Sequence, residues 1–103
     1  MDENELDQIS MLMLTYSGKA KQILNQTIDT ISLSTYKKDD VPAQFEKAHK
    51  WLIKAHNEQN KAIKYVDNLQ YSVLFTHAQD TLMNTETIYF LLTKLIPLIR
   101  ISQ

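Results

Sequence analysis

The amino-acid sequence predicts an all-α fold, an antiparallel up-down-up bundle of three helices, and three observations carry that prediction. The 103 residues include one glycine and no cysteine, too few turn glycines for a loop-rich β fold and no thiols for a disulfide framework. Apolar residues recur at steps of three and four, the period of a helix with one buried face. Two turn signals then divide the chain into thirds rich in helix formers. A chain of this length reads as a single domain over residues 1–103, large enough to bury a core without metal or disulfide staples.

The first helix is expected over residues 4–34. Leu6, Ile9, Met13, Tyr16, Ala20, Ile23 or Leu24, Thr27 and Ile31 mark its buried face. The polar tract after Gln26, with Thr27, Thr30, Ser32, Ser34 and Thr35, leaves its exact end open. The second helix is expected over 41–66, behind the charged cluster from Tyr36 to Pro42. There Asp40 suits an N-cap and Pro42 a first helical turn. Phe45, Ala48, Leu52, Ala55, Gln59, Ala62 and Val66 form its core stripe, while Lys47, Lys50, Lys54 and Lys61 fall on another, solvated face. Asp67-Asn68 is a turn short enough to join antiparallel neighbours.

The third helix is expected over 69–100, with Pro97 ending or kinking it near the C-terminus. Between Leu69 and Ile101, 18 of 33 residues are apolar or aromatic, and they are not confined to one stripe. At about 100° per residue, Val73, Ile88, Leu91 and Leu95 share the direction of His77, whereas Phe75 and Leu82 point nearly the other way. A helix apolar around most of its circumference needs neighbours on most sides, more than two helices of the same small chain supply. Self-association through this helix is the expectation.

Composition removes several functions. A single glycine excludes the Gly-rich loops that cradle nucleotide phosphates. The formal net charge of −1 gives no global field for nucleic acid or anionic membrane. Near-neutrality conceals a basic middle, since residues 37–64 hold seven lysines against four acids. Four lysines interspersed with Glu46 and Glu58, and no arginine, make a poor nucleic-acid face. The acidic start, MDENELDQ, is unlike a secretory signal, and no segment approaches the ~18 uninterrupted apolar residues of a membrane span. The cytoplasm is the expected location.

The histidines are not equivalent. His49 and His56 lie seven apart in the second helix, not at the i, i+4 spacing of a helical metal pair. His49 reads as a solvated surface residue and His56 as one bordering the core or a subunit contact. His77 lies in the most apolar helix with Asp80 three residues on, so imidazole and carboxylate project from nearly the same face. A carboxylate can orient an imidazole and keep it nucleophilic. Spacing by itself favours a structural histidine, and no serine, cysteine or second histidine stands where a hydrolytic triad would need it.

The run Thr76-His77-Ala78-Gln79-Asp80-Thr81-Leu82-Met83 resembles the signature of the lactose/cellobiose-type IIA components of the bacterial phosphoenolpyruvate-dependent sugar phosphotransferase system. Gly18-Lys-Ala-Lys21 is similar to that family's Gly-x-Ala-basic segment, and Ala55-His-Asn-Glu-Gln59 followed by Ile63 to its Ala-His-x-x-Gln stretch. The three matches come in family order, one per predicted helix, and cover about residues 10–96. The resemblance implies a three-helix bundle assembled as a homotrimer, which agrees with the all-round apolar third helix. It also implies a phosphotransferase component that acts only with partner proteins. His77 would be the nucleophile, taking a phosphoryl group from phospho-HPr and passing it to a cysteine of the cognate IIB component during disaccharide uptake. The membrane would be met only indirectly, through the IIC component. Asp80 of each subunit would converge near the three-fold axis, where family members can hold a divalent metal. Hard oxygen donors favour Mg²⁺ or a similar ion there, in a structural role, with no cofactor required for transfer itself. Gln79 belongs to the same signature. It stands about 200° from His77 around an ideal helix, which favours an intersubunit or structural contact. Many family members have a second histidine where this chain has Thr81. The alternative function is a non-catalytic helical oligomerisation module in which His77 is structural.

Overall fold

The structure is a computed structural model that describes residues 1–32, 40–65 and 71–101. Three helices and no strands are present among them: α1 (Glu3–Ser32), α2 (Asp40–Ile63) and α3 (Val73–Ile101). The predicted all-helical class is therefore observed. Residues 33–35, most of the first turn signal (Tyr36 to Asp39), Val66, the Asp67-Asn68 turn and Leu69 lie outside the described residues. The molecule is a rod of 53 × 18 × 17 Å.

Each helix start has a local cause. The Asp2 carboxylate accepts a hydrogen bond from the Glu5 amide at 2.8 Å, and Glu3 and Glu5 put negative charge in the first turn of α1, where the helix dipole favours it. Pro42 sits in the first turn of α2, where its missing N–H is no loss. In α3 the Ser72 hydroxyl accepts from the Phe75 amide at 3.0 Å, so Ser72 is the N-cap. This corrects the expected start at residue 69: Tyr71 and Ser72 are not helical, because the serine side chain takes the amide bond that a preceding turn would have filled. Ser72→Ala should lower stability by about 1 kcal/mol, seen as an earlier urea midpoint with unchanged slope.

Pro97 does not end α3, which runs on to Ile101. Proline fixes φ near −65°, inside the helical range, so one missing N–H is tolerated this close to the helix end. The threonines and one serine in helix interiors are absorbed in the same local way. Ser10, Thr27 and Thr85 donate to the carbonyls of Leu6, Ile23 and Thr81 at 2.7–2.9 Å, which lets all three be buried.

The core follows the predicted stripes on α1 and α2. Leu6, Ile9, Met13, Ala20 and Leu24 are buried, as are Ala48, Leu52, Ala55 and Ala62. From α3 the buried set is Phe75, Ala78, Leu82, Thr85 and Ile96. Alanines in α1, α2 and α3 allow close helix approach. Between α1 and α2, Tyr16 stacks on Trp51 at 5.7 Å and Gln44 donates to the Thr30 hydroxyl at 3.4 Å. Between α2 and α3, Tyr89 meets Phe45 edge-on at 6.0 Å and stacks on His49 at 5.6 Å. Gly18 stands inside α1 without a positive φ, where glycine costs about 0.5–1 kcal/mol relative to alanine.

Candidate functional site

His77 lies in the second turn of α3, one residue before the fully buried Ala78. Ala78 and Leu82 fix the rotation of the helix by inserting into the core, and that rotation carries His77 and Asp80 outward. Both are exposed, and Gln79 is half-buried. Neither the imidazole nor the Asp80 carboxylate makes a hydrogen bond or ion pair among the described residues of the chain. The Thr81 hydroxyl donates to the His77 carbonyl at 2.9 Å, so it serves the backbone rather than the ring. The pair thus shares one accessible face, open to a partner molecule.

The other two histidines are occupied. His56 Nε2 is 2.5 Å from Glu86 Oε2, joining α2 to α3, and its position at the edge of the core fits the expectation. His49 is exposed as expected, but its ring lies against Tyr89. Sequence reasoning missed the contacts of Glu86 and Tyr89, because nothing local marks a contact between residues 30 or more apart. His56 and Glu86 side chains are 43% and 35% exposed, so solvent screens the pair. A double-mutant cycle with His56→Ala and Glu86→Ala should give a coupling of about 0.2–1 kcal/mol.

The lysine face of α2 is partly used within the chain. Lys61 pairs with Glu58 at 2.7 Å and Lys50 with Glu46 at 3.6 Å. Lys54 and Lys19 each lie 4.7 Å from the Trp51 ring centroid. These contacts explain how the nearly buried Glu58 is compensated, and they fit a solvated face better than a phosphate-binding one.

No three His, Cys, Asp or Glu residues gather into a metal-holding group among the described residues of one chain. Asp80 supplies a hard oxygen donor but stands alone, so a metal there needs carboxylates from other copies. No helix of the described residues is long and apolar enough to cross a membrane.

No curated protein and no solved structure matches the chain. The family model described as "PTS system, Lactose/Cellobiose specific IIA subunit" does match, over residues 8–100. That span includes all of α2, almost all of α3, His77 and the three segments singled out by sequence. The chain belongs to the lactose/cellobiose-specific IIA family and is a component of a sugar phosphotransferase system.

Proposed function

We propose that this chain is the phosphocarrier of its system, with His77 as the residue phosphorylated. The observation that carries the reading is an exposed imidazole with Asp80 on the same face of α3, inside the family match. A neutral ring nitrogen attacks the phosphorus of phospho-HPr in line. The donor N–P bond breaks, its electron pair stays on the donor imidazole, and a new N–P bond forms on His77. In the second transfer that bond breaks and a cysteine thiolate of IIB takes the phosphoryl group as an S–P bond. Both steps demand positioning and electrostatic control, not a nucleotide site, which suits a chain with one glycine. The carrier works in the bacterial cytoplasm and meets the membrane only through its transporter component.

The bundle reading is up-down-up. Along α1 the contacts with α2 rise from Tyr16 to Thr30 while their partners fall from Trp51 to Gln44. Likewise Glu86 and Tyr89 of α3 meet His56 and then His49 and Phe45. Three chains associate through the outer face of α3, where Val73 is 71% and Leu98 62% exposed, too much apolar surface for a single chain to leave in water. That arrangement brings three Asp80 carboxylates together and turns Gln79 toward a neighbouring chain. Three like charges repel, and a divalent cation of the Mg²⁺ class would neutralise them. Asp80→Asn should abolish any difference in association that a chelator makes in the wild type; equal association of both proteins in both conditions removes the cation from the proposal.

The test of the carrier role is direct. Incubated with phosphoenolpyruvate, enzyme I and HPr, the protein should gain one acid-labile phosphoryl group per chain by intact mass, and no gain refutes the reading.

A further inference from the structure

We propose that the middle of the groove between α1 and α2, centred on Trp51, docks an acidic polypeptide surface, away from the face that carries His77. The proposal needs neither the carrier role nor self-association.

The chain is nearly neutral, but its charges are sorted by level along the rod. Residues 8–28 of α1 and 47–57 of α2 contain five lysines and no aspartate or glutamate. The contacts of Tyr16 with Trp51 and of Thr30 with Gln44 set these two stretches side by side. Lys19, Lys47 and Lys54 border the groove. At 100° per residue, Lys19 stands about 60° from Tyr16, and Lys47 and Lys54 stand about 40° and 60° from Trp51. All three are exposed. None pairs with a carboxylate among the described residues.

Trp51 is the only tryptophan of the sequence and is half-buried. Tyr16 stacks on it at 5.7 Å, and the Nζ atoms of Lys19 and Lys54 each lie 4.7 Å from its ring centroid. One lysine over an exposed ring gains about 0.5–1 kcal/mol. A second like charge at the same ring repels the first, and no carboxylate among the described residues offsets it. A carboxylate arriving at the groove meets two uncompensated charges. The indole N–H makes no hydrogen bond among the described residues, which leaves a donor for the same partner. Tryptophan is also a side chain on which binding energy concentrates when a partner excludes water.

The chemistry selects carboxylates over phosphates. Neither stretch contains an arginine, so no planar fork grips a phosphate. Lys47 and Lys54 stand about 10 Å apart along α2, a spacing that meets carboxylates on separate residues of a partner. His77 belongs to another surface. On α3, Tyr89 and Glu86 turn toward α2, and His77 stands about 120° and 180° from them. From the level where His56 meets Glu86, Trp51 lies one way along the rod and His77 the other, about 20 Å apart. A protein held at Trp51 therefore leaves His77 open.

The experiment titrates the full chain with decaglutamate, a probe whose side chains are all carboxylates, and reads the emission of Trp51. Calorimetry reads the same binding in variants whose substitutions alter that emission. Wild type is compared with Lys19→Gln, Lys54→Gln, the double variant and, as a control that removes one charge from α3, Lys94→Gln. Glutamine is nearly as good a helix former as lysine, and circular dichroism reads folding. Wild type should bind decaglutamate at low salt and lose several-fold in affinity at about 0.5 M salt. Each single groove variant should bind about two- to fivefold more weakly and the double variant about tenfold or more, with Lys94→Gln unchanged. The proposal is overturned if wild type does not bind, if the double variant binds as tightly as wild type, or if Lys94→Gln loses as much as Lys54→Gln. Tighter binding to a DNA duplex or to phosphatidylglycerol vesicles than to decaglutamate would also overturn it, replacing the acidic protein by a phosphate-bearing partner. So would slowed phosphoryl acceptance from phospho-HPr in the double variant, which assigns the groove to the phosphoryl partners. Wild type that binds decaglutamate but takes no phosphoryl group fails the carrier reading and leaves this proposal standing.

Discussion

His77→Gln is expected to reduce phosphoryl acceptance from phospho-HPr to background, a loss of about 10³-fold or more. The amide keeps roughly the length and polarity of the imidazole but has no nitrogen lone pair able to form the N–P bond. The His77 imidazole is exposed and makes no hydrogen bond among the described residues, so the substitution should change stability by no more than about 0.5 kcal/mol. This separation of chemistry from folding is what makes the variant informative. Intact mass after incubation with the donor proteins reads the first quantity and a urea titration reads the second. If the variant gains the same acid-labile phosphoryl group as wild type, His77 is a structural residue and the carrier assignment is wrong.

Leu82→Ala has the largest expected effect on stability, a loss of about 2–5 kcal/mol. Leu82 is fully buried and belongs to the core cluster that includes Met13, Ala55 and Ala78. The cluster's alanines, Ala55 and Ala62 of α2 and Ala78 of α3, are small and held by helix backbones, so they cannot close over the space that the lost methyl groups leave. Against a typical domain stability of 5–15 kcal/mol, that is a large share of the total. Leu82 stands about 140° around α3 from His77, so the effect should be on folding and not on chemistry. Below its melting transition the variant should still take up a phosphoryl group, while its urea midpoint falls sharply. A midpoint within about 0.5 kcal/mol of wild type would mean that the core does not turn on this residue.

These two positions also mark how far the sequence could be read. The stripe on α1 was legible because its apolar positions occupy one face, and Met13, Ala20 and Leu24 are buried as the period requires. The same holds for Ala48, Leu52 and Ala55 of α2. The start of α3 was not legible, since apolar residues continue through Leu69 and Tyr71 and the Ser72 cap lacks the acidic partner that makes a capping box visible. Nor could the effect of Pro97 be read. A proline usually stops a helix, yet here only one hydrogen bond is at stake near the end of α3. The polar tract at the end of α1 was partly legible: Thr27 and Thr30 are accommodated by bonds to the preceding turn.

Sequence alone determined the helical class, the number of helices and the residues whose pattern matches the IIA family, because these depend on local period and on a string of adjacent residues. It could not choose the buried face of α3, where apolar side chains surround the helix. Tertiary packing made that choice. Phe75, Ala78, Leu82, Thr85 and Ile96 went inside against the stripes of α1 and α2, while Leu91 and Leu95 stayed out. That rotation put His77 and Asp80 on the open face. It also tied His56 to Glu86 across 30 residues, a contact that exists only once α2 and α3 lie side by side.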